Sequence, residues 1–129
     1  YGTFAPIRSE DIRDHQMHEE YFRVNPELCQ MIRAVRERGN RVIAVGTTAL
    51  RTLESFEGRR NEGKTRLFIT PGYQFTNVDC LVTNFHLPKS TLYCLVASLL
   101  GLEALRSAYK EAIDQRYRFY SYGDAMLIL

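Results

Sequence analysis

The sequence predicts an α/β protein whose mainly parallel sheet carries helices on its faces. Short apolar runs alternate with segments whose apolar residues recur every three or four positions, the spacings typical of strands and of helices. Helix-length segments, rather than two-residue turns, separate the runs, and such crossover connections favour parallel pairing. Ligands of parallel sheets collect beyond the carboxyl ends of the strands, so we expect a site in the loops that follow them.

The first predicted strand, residues 17–24, leads into a helix with clear boundaries. Asn25 is a typical N-cap residue, and Pro26 suits the first helical position, because the amide that proline lacks would have no partner there. Gly39 stands where a left-handed residue commonly ends a helix. Between these boundaries apolar residues recur at helical spacing: Leu28, Met31, Ile32 and Val35.

A second strand and helix follow across a glycine turn. The β-branched run 41–45 predicts a buried strand, and Gly46 turns the chain into a helix that extends to about Phe56. The polar residues 57–64 predict a loop, and residues 67–69 a short strand.

The C-terminal part of the chain predicts two strands and two helices. Ser90 is a suitable N-cap after the polar residues 84–89, and Gly101 interrupts the helix that Ser90 begins. The predicted elements are a strand over 80–83, a helix over 90–100, an amphipathic helix over 102–113 and a strand over 125–129.

Composition is that of an ordinary globular protein with one domain. Of the 129 residues, 45% are hydrophobic and 25% are charged, unlike a disordered chain. No apolar run approaches the ~20 residues of a membrane-spanning helix and no leader is recognisable, so we expect a cytoplasmic protein without membrane attachment. The opening at Tyr1, without Met, indicates a truncated N-terminus.

The cysteine count indicates the redox compartment, and the charge distribution indicates a possible kind of partner. An odd number of cysteines in apolar surroundings predicts free, buried thiols in a reducing compartment. The formal net charge is only +2, but residues 33–66 carry nine basic residues against four acidic ones. That segment could contact phosphates of a nucleic acid or form a solvated face, and charge alone leaves both open. The cysteines are Cys29, Cys80 and Cys94.

The segment VGTTALRTLE, residues 45–54, places two hydroxyls at the start of a helix. Free amides at a helix start attract anions, so Thr47, Thr48 and Arg51 are candidate contacts for a phosphate or carboxylate. The alternative is a helix with Thr47 or Thr48 as its N-cap. The spacing matches neither a Walker loop nor a dinucleotide-binding fingerprint.

The segment TNFHLPKST, residues 83–91, concentrates polar groups between a strand and a helix. His86 could act as a base near neutral pH, and Lys89 could hold a carboxylate or phosphate as a point charge. Asn84 and Ser90 offer an amide and a hydroxyl to a polar ligand. The alternative is a polar loop that only leads to the Ser90 cap.

Two further clusters contain groups able to bind a ligand. His15, His18 and Glu19 are metal-ligand types, but their spacing suits a helix where a strand is predicted, so we expect no metal site. His18 could instead face a ligand or be solvated.

Residues 117–128, YRFYSYGDAMLI, interleave aromatics with arginines. This pattern is able to stack exposed bases, with Tyr122 as the stacking group. The alternative is an aromatic stripe that covers the sheet edge.

Five strings resemble, in order, the second half of the S-adenosylmethionine:tRNA ribosyltransferase-isomerase family of queuosine biosynthesis. They are GTFAPI, MHEEYF, RVIAVGTTALRTLE, TNFHLPKSTLYCLVASLLG and YRFYSYGDAMLI. The resemblance covers essentially the whole chain. It implies that residues 1–129 are the incomplete C-terminal part of a larger α/β domain, without the β-barrel domain that the family inserts into it.

The resemblance also implies a reaction. S-adenosylmethionine is consumed as a co-substrate: its ribosyl group is transferred to 7-aminomethyl-7-deazaguanine in tRNA and rearranged to epoxyqueuosine, and adenine and methionine are released. No cofactor or metal is implied, and we expect the complete enzyme to be a monomer. The chemistry needs a base that removes a proton beside the sulfonium. His86 or Asp124 is the candidate proton acceptor, and Asn84 and Lys89 are candidate contacts to methionine or phosphate.

An isolated C-terminal part would lack whatever the missing segments contribute. We therefore expect this chain alone to be inactive and to expose a sheet edge or face that the complete protein covers. The alternative function is a non-catalytic tRNA- or RNA-binding α/β module that uses the basic residues 33–66 and the C-terminal aromatics. An ordinary methyltransferase is disfavoured, because the sequence contains no glycine-rich loop of that kind.

Overall fold

The computed structural model describes residues 17–56, 61–88 and 90–129. In this part of the chain β1 and β2 are each followed by a helix, β3 and β4 then follow each other without one, and two successive helices precede the last strand. The elements are β1 (Glu20–Arg23), α1 (Pro26–Glu37), β2 (Ile43–Val45), α2 (Thr47–Glu54), β3 (Glu62–Thr65), β4 (Cys80–Asn84), α3 (Thr91–Leu100), α4 (Leu102–Asp114) and β5 (Ala125–Ile128).

The strands form two sheets rather than one mainly parallel sheet. In one sheet β1 and β3 pair antiparallel. The other has the order β2-β4-β5, in which β2 and β4 are parallel while β4 and β5 are antiparallel. The α/β class is confirmed, and the prediction of a mainly parallel sheet is wrong.

The direction of β5 follows from the two helices that precede it. A single crossover helix returns the chain to the end of the sheet from which a strand started, so the next strand runs parallel. Here α4 follows α3 across a bend of 112°, and the chain reaches the sheet beside the carboxyl end of β4, where Ala125 pairs with Asn84. From that point β5 can only run back along β4.

Three strand predictions need correction. Residues 62–64 lie in the predicted loop but form β3 together with Thr65, because they pair with β1 from Glu20↔Thr65 to Arg23↔Glu62. Residues 67–69 form no strand; Ile69 is instead buried in the core from an irregular segment. The second predicted strand is shorter than 41–45 and is buried only at Ala44, since both of its neighbours in β2 are more than half exposed.

The predicted helix boundaries are confirmed by their hydrogen bonds. Asn25 Oδ1 accepts the N–H of Leu28 at 2.8 Å, and the Ser90 hydroxyl accepts the N–H of Tyr93 at 3.1 Å. Gly39 and Gly101 both have positive φ, of 71° and 88°, at the ends of α1 and α3. The sequence predicts these helix ends because each cap depends on a few adjacent residues.

The core lies on one face of the three-stranded sheet. Ala44, Leu81 and Ile128 are cross-strand partners, so their buried side chains share a face, and they belong to one cluster with residues of α2, α3 and α4. A smaller cluster of Val24, Cys29 and Phe56 joins the region of β1 and α1 to the end of α2.

Two of the three cysteines are fully enclosed, as the sequence predicts. Cys29 and Cys80 are buried, Cys94 is partly buried, and all three are free thiols. Burial raises the pKa of the Cys94 thiol, which keeps it protonated.

Among the described residues, no single helix is long and apolar enough to cross a membrane. The pair α3 and α4 passes that test only when taken together, by length and composition, and it is bent by 112°.

Candidate functional site

A cavity of about 490 Å³ opens beyond the carboxyl ends of β2 and β4, where the strand order predicts a ligand site. Its walls come from both of the polar segments identified in the sequence and from the loop before β5. The lining residues are Val45, Gly46, Thr47, Thr48, Ala49, Thr83, Asn84, His86, Leu87, Ser90, Leu92, Tyr120 and Ser121.

The start of α2 forms one wall of the cavity. Gly46 has a φ of 89°, which glycine adopts without steric cost, and its N–H donates to Val82 O at 2.8 Å. Gly46 is also the N-cap, and no side chain caps the helix. The alternative in which Thr47 or Thr48 is the N-cap is therefore wrong. The amides of the first turn, including those of Thr47 and Thr48, have no partner within the helix.

His86 faces Thr83 across the end of β4. The His86 Nε2 atom lies 2.8 Å from Thr83 Oγ1, and the His86 backbone N–H donates to the Tyr109 hydroxyl at 2.7 Å. Burial lowers the pKa of His86 below its ordinary value of 6.5, so the ring is neutral at pH 7. A neutral, oriented imidazole at a cavity wall can accept a proton.

Asn84 and Ser90 line the same cavity but also hold the structure together. The Asn84 amide donates to the carbonyl oxygens of Gly123 and Asp124, at 3.4 and 3.3 Å, and so ties β4 to the loop before β5. The Ser90 hydroxyl donates to Leu87 O at 2.7 Å while it caps α3. Lys89, the other predicted residue of this segment, lies outside the described residues.

The aromatic residue that reaches the cavity is Tyr120, not the Tyr122 that the sequence suggested as a stacking group. Tyr122 is 98% exposed and does not line the cavity. Tyr120 lines it, with Ser121, and has a backbone φ of 68°. Nothing in the residue pattern distinguishes the two tyrosines, because the exposure of each depends on the tertiary path of the loop.

Besides Tyr122, three predicted residues lie away from the cavity. The Asp124 carboxylate accepts the backbone N–H of Arg118 at 2.7 Å; this bond, together with the Arg118 guanidinium, holds the pKa of Asp124 below its usual value. Arg51 is buried behind the wall, with its Nη1 atom 2.6 Å from Glu20 Oε2. His18 is exposed before β1.

Part of the basic segment 33–66 is engaged in ion pairs. Arg36 lies 3.4 Å from Asp79, and Lys64 and Arg66 approach Glu19 at 2.8 and 3.7 Å. Arg59 and Arg60 lie outside the described residues. These pairs offset part of the positive charge of the segment.

The predicted absence of a metal site concerns residues that the structure only partly covers. His15 lies outside the described residues. Within residues 17–56, 61–88 and 90–129, no group of three or more histidine, cysteine, aspartate or glutamate side chains is arranged to hold a metal ion.

Comparison with known proteins identifies the family. A family model described as "Queuosine biosynthesis protein" matches residues 1–128. The chain belongs to this queuosine biosynthesis family. The predicted family resemblance is thereby confirmed.

Relatives in the queuosine biosynthesis family are similar along nearly the whole chain. Those from Cupriavidus pinatubonensis and Thermotoga petrophila are 58% and 52% identical and cover 98% and 99% of it; both are named S-adenosylmethionine:tRNA ribosyltransferase-isomerase. The crystal structure of S-adenosylmethionine tRNA ribosyltransferase from Thermotoga maritima matches with a TM-score of 0.80 and 53% identity over 84% of this chain. The chain spans only 38% to 40% of the length of these proteins.

Proposed function

We propose that this chain provides part of the active site of an S-adenosylmethionine:tRNA ribosyltransferase-isomerase. In this reaction the ribosyl group of S-adenosylmethionine passes to 7-aminomethyl-7-deazaguanine in tRNA and rearranges to epoxyqueuosine, with release of adenine and methionine. The observation that carries the proposal is the cavity, which joins the start of α2, the end of β4 and the loop before β5 in a chain of this family. Its volume of about 490 Å³ is that of a small-molecule site.

His86 is the proposed proton acceptor. Removal of a proton beside the sulfonium needs a base that is unprotonated at neutral pH, and burial gives His86 that property. The contact between His86 Nε2 and Thr83 Oγ1 orients the ring. Asp124 does not line the cavity, and its carboxylate is engaged by Arg118, so we assign it the positioning of the loop.

The start of α2 is the proposed site for an anionic group of a substrate. The amides of the first turn, which have no partner within the helix, and the hydroxyls of Thr47 and Thr48 suit the carboxylate of the methionine portion. Asn84 and Ser90 would add polar contacts from the opposite segment, and Lys89 keeps its proposed role as a contact to methionine or phosphate. Arg51 supports this wall from behind through its ion pair with Glu20.

The chain spans about two fifths of the relatives' length, and the rest of the proposal concerns the part that it does not span. We infer that this chain is the C-terminal part of the α/β domain, that the complete enzyme is a monomer, and that the chain alone is inactive because other segments complete the site. No metal takes part, and tRNA and S-adenosylmethionine are the partners.

The test compares two proteins. One is the chain alone, and the other is a chimaera in which the chain replaces the matching 38% of the Cupriavidus pinatubonensis relative. Each is incubated with ribose-labelled S-adenosylmethionine and tRNA that carries 7-aminomethyl-7-deazaguanine. We expect label in tRNA and free adenine with the chimaera only. Transfer by the chain alone would place the whole site within these residues and contradict its inactivity.

Absence of transfer by both proteins would contradict the proposed reaction. The alternative, a tRNA-binding module, would then be tested by the salt dependence of binding. A protein that only contacts phosphates shows a steep loss of affinity with salt and no response to S-adenosylmethionine.

A further inference from the structure

The loop that carries Tyr120 is held firmly at both ends. Tyr120 N–H donates to Phe85 O at 3.1 Å, and Gly123 N–H donates to Tyr120 O at 3.0 Å. Asp124 N–H donates to Arg118 O at 2.7 Å, and the Asp124 carboxylate binds the backbone of the same arginine. These bonds fix the backbone path of the loop and so the position from which the Tyr120 side chain projects.

The backbone of Tyr120 is in an unfavourable conformation. Its φ of 68° lies in the left-handed region, which residues with a β-carbon rarely adopt unless the surrounding structure enforces it. Such conformations concentrate at ligand sites. Glycine or asparagine would occupy this position at lower cost, so packing of the backbone does not account for a tyrosine.

The tyrosine ring has little role in the core. Neighbouring aromatics of the loop pack inward, since the Phe85 ring lies 5.2 Å from that of Phe119 and 5.9 Å from that of Tyr117. Tyr120 has no such ring contact among the described residues and is 59% exposed, although it lines the cavity. An exposed, rigidly presented aromatic face at a cavity wall is the arrangement that stacks a planar base.

We propose that Tyr120 stacks on a purine-like ring that enters the cavity. The inference rests on the proposed function, in which two such rings take part: the adenine of S-adenosylmethionine and the 7-deazaguanine of tRNA. Both present a planar π face to tyrosine, and binding of each substrate measured alone distinguishes them. Tyr122, almost fully exposed two residues away, provides a matched control.

The experiment uses the chimaera and measures Kd rather than turnover. Tyr120→Asn removes the ring but suits a positive φ, so folding is preserved. Tyr120→Phe keeps the ring and removes the hydroxyl, and Tyr122→Asn removes an aromatic that does not line the cavity. Equilibrium dialysis gives Kd for S-adenosylmethionine alone, and filter binding gives Kd for tRNA that carries 7-aminomethyl-7-deazaguanine, also alone.

We expect Tyr120→Asn to weaken one of the two ligands about tenfold or more, while Tyr120→Phe and Tyr122→Asn change neither appreciably. Weaker S-adenosylmethionine binding would identify adenine, and weaker tRNA binding would identify the deazaguanine. Unchanged Kd for both ligands, or an equal loss with Tyr122→Asn, would overturn the inference. Because ribosyl transfer is assayed separately, failure of the proposed reaction is distinguishable from failure of the stacking role.

Discussion

The buried carboxylate of Glu54 joins α2 to the irregular segment that precedes β4. It accepts backbone N–H bonds from Thr76, Asn77 and Val78 at 3.0, 2.9 and 2.8 Å, and a hydroxyl bond from Tyr73 at 3.1 Å. Burial and the neighbouring carboxylate raise the pKa of Tyr73 to about 12. Since a lone buried carboxylate is costly, these donors are what makes the position of Glu54 stable.

Glu54→Gln should destabilise this segment. Both carboxylate oxygens accept backbone N–H bonds, so either orientation of the glutamine amide turns an NH₂ group toward another donor. One buried donor left without a partner costs about 1–3 kcal/mol. Urea unfolding of the chimaera, with hydrogen exchange of the amides at 76–78, measures the effect. Glu103→Gln, in the exposed first turn of α4, is the control. Equal exchange in both variants would refute the role of Glu54.

His86→Gln should lower ribosyl transfer by the chimaera roughly 10²–10⁴-fold, the usual contribution of a general base. Only the neutral imidazole accepts a proton, and burial lowers its pKa below 6.5. In the unsubstituted chimaera the rate should therefore fall to half of its plateau only at a pH below 6.5, where protonation of His86 removes the acceptor. The pH profile of transfer measures this. A decline that begins above pH 7, or one that persists unchanged in His86→Gln, would contradict the assignment.

Among the elements, the turn before β5 depends on a glycine for a steric reason. A β-carbon on Gly123 would lie 2.2 Å from the carbonyl oxygen of Arg118 and 2.5 Å from that of Phe119. Both atoms belong to the backbone of the same turn and cannot give way independently. The turn that presents Tyr120 and pairs β5 with β4 is thus possible only with glycine at this position.

Gly123→Ala should disrupt the loop and lower stability by about 1–3 kcal/mol, the range for a forced steric overlap. Thermal unfolding of the chimaera measures the loss. Gly72→Ala is the comparison, since its β-carbon would meet nothing within 4 Å and only its positive φ of 99° is strained. A Gly123 variant as stable as the Gly72 variant would show that the turn adapts to the added methyl group.

In the described part of the chain, one face of the three-stranded sheet is incompletely covered. Ile43 and Leu127 are 51% and 57% exposed on the face opposite the core, and Val45 is 72% exposed beside them. Apolar sheet faces in α/β proteins are normally packed against other elements. The exposure matches a chain that spans about two fifths of the length of its relatives.

The isolated chain should therefore self-associate. Sedimentation velocity over a range of concentrations should show oligomers for the chain, and fewer for a double variant with Ile43→Thr and Leu127→Thr, which places a β-branched residue at both strand positions but removes apolar area. The chimaera should remain monomeric. A chain that stays monomeric at every concentration would contradict the role of this face.

The amino-acid pattern was sufficient for features that depend on adjacent residues. The Asn25 and Ser90 caps, the glycine ends at Gly39 and Gly101 and the family strings each lie within a short segment, where the local chemistry allows few alternatives. The two polar segments that line the cavity are also short, so the residue pattern predicts each of them separately.

Tertiary structure decided what depends on distant partners. The direction of β5, the pairing of polar β3, the donors to Glu54 and the choice of Tyr120 over Tyr122 all arise where segments far apart in the chain meet. A strand's direction depends on where the preceding helices deliver the chain, and a side chain's exposure depends on what packs beside it. Neither quantity is a property of a short stretch of sequence, so residue pattern could not determine them.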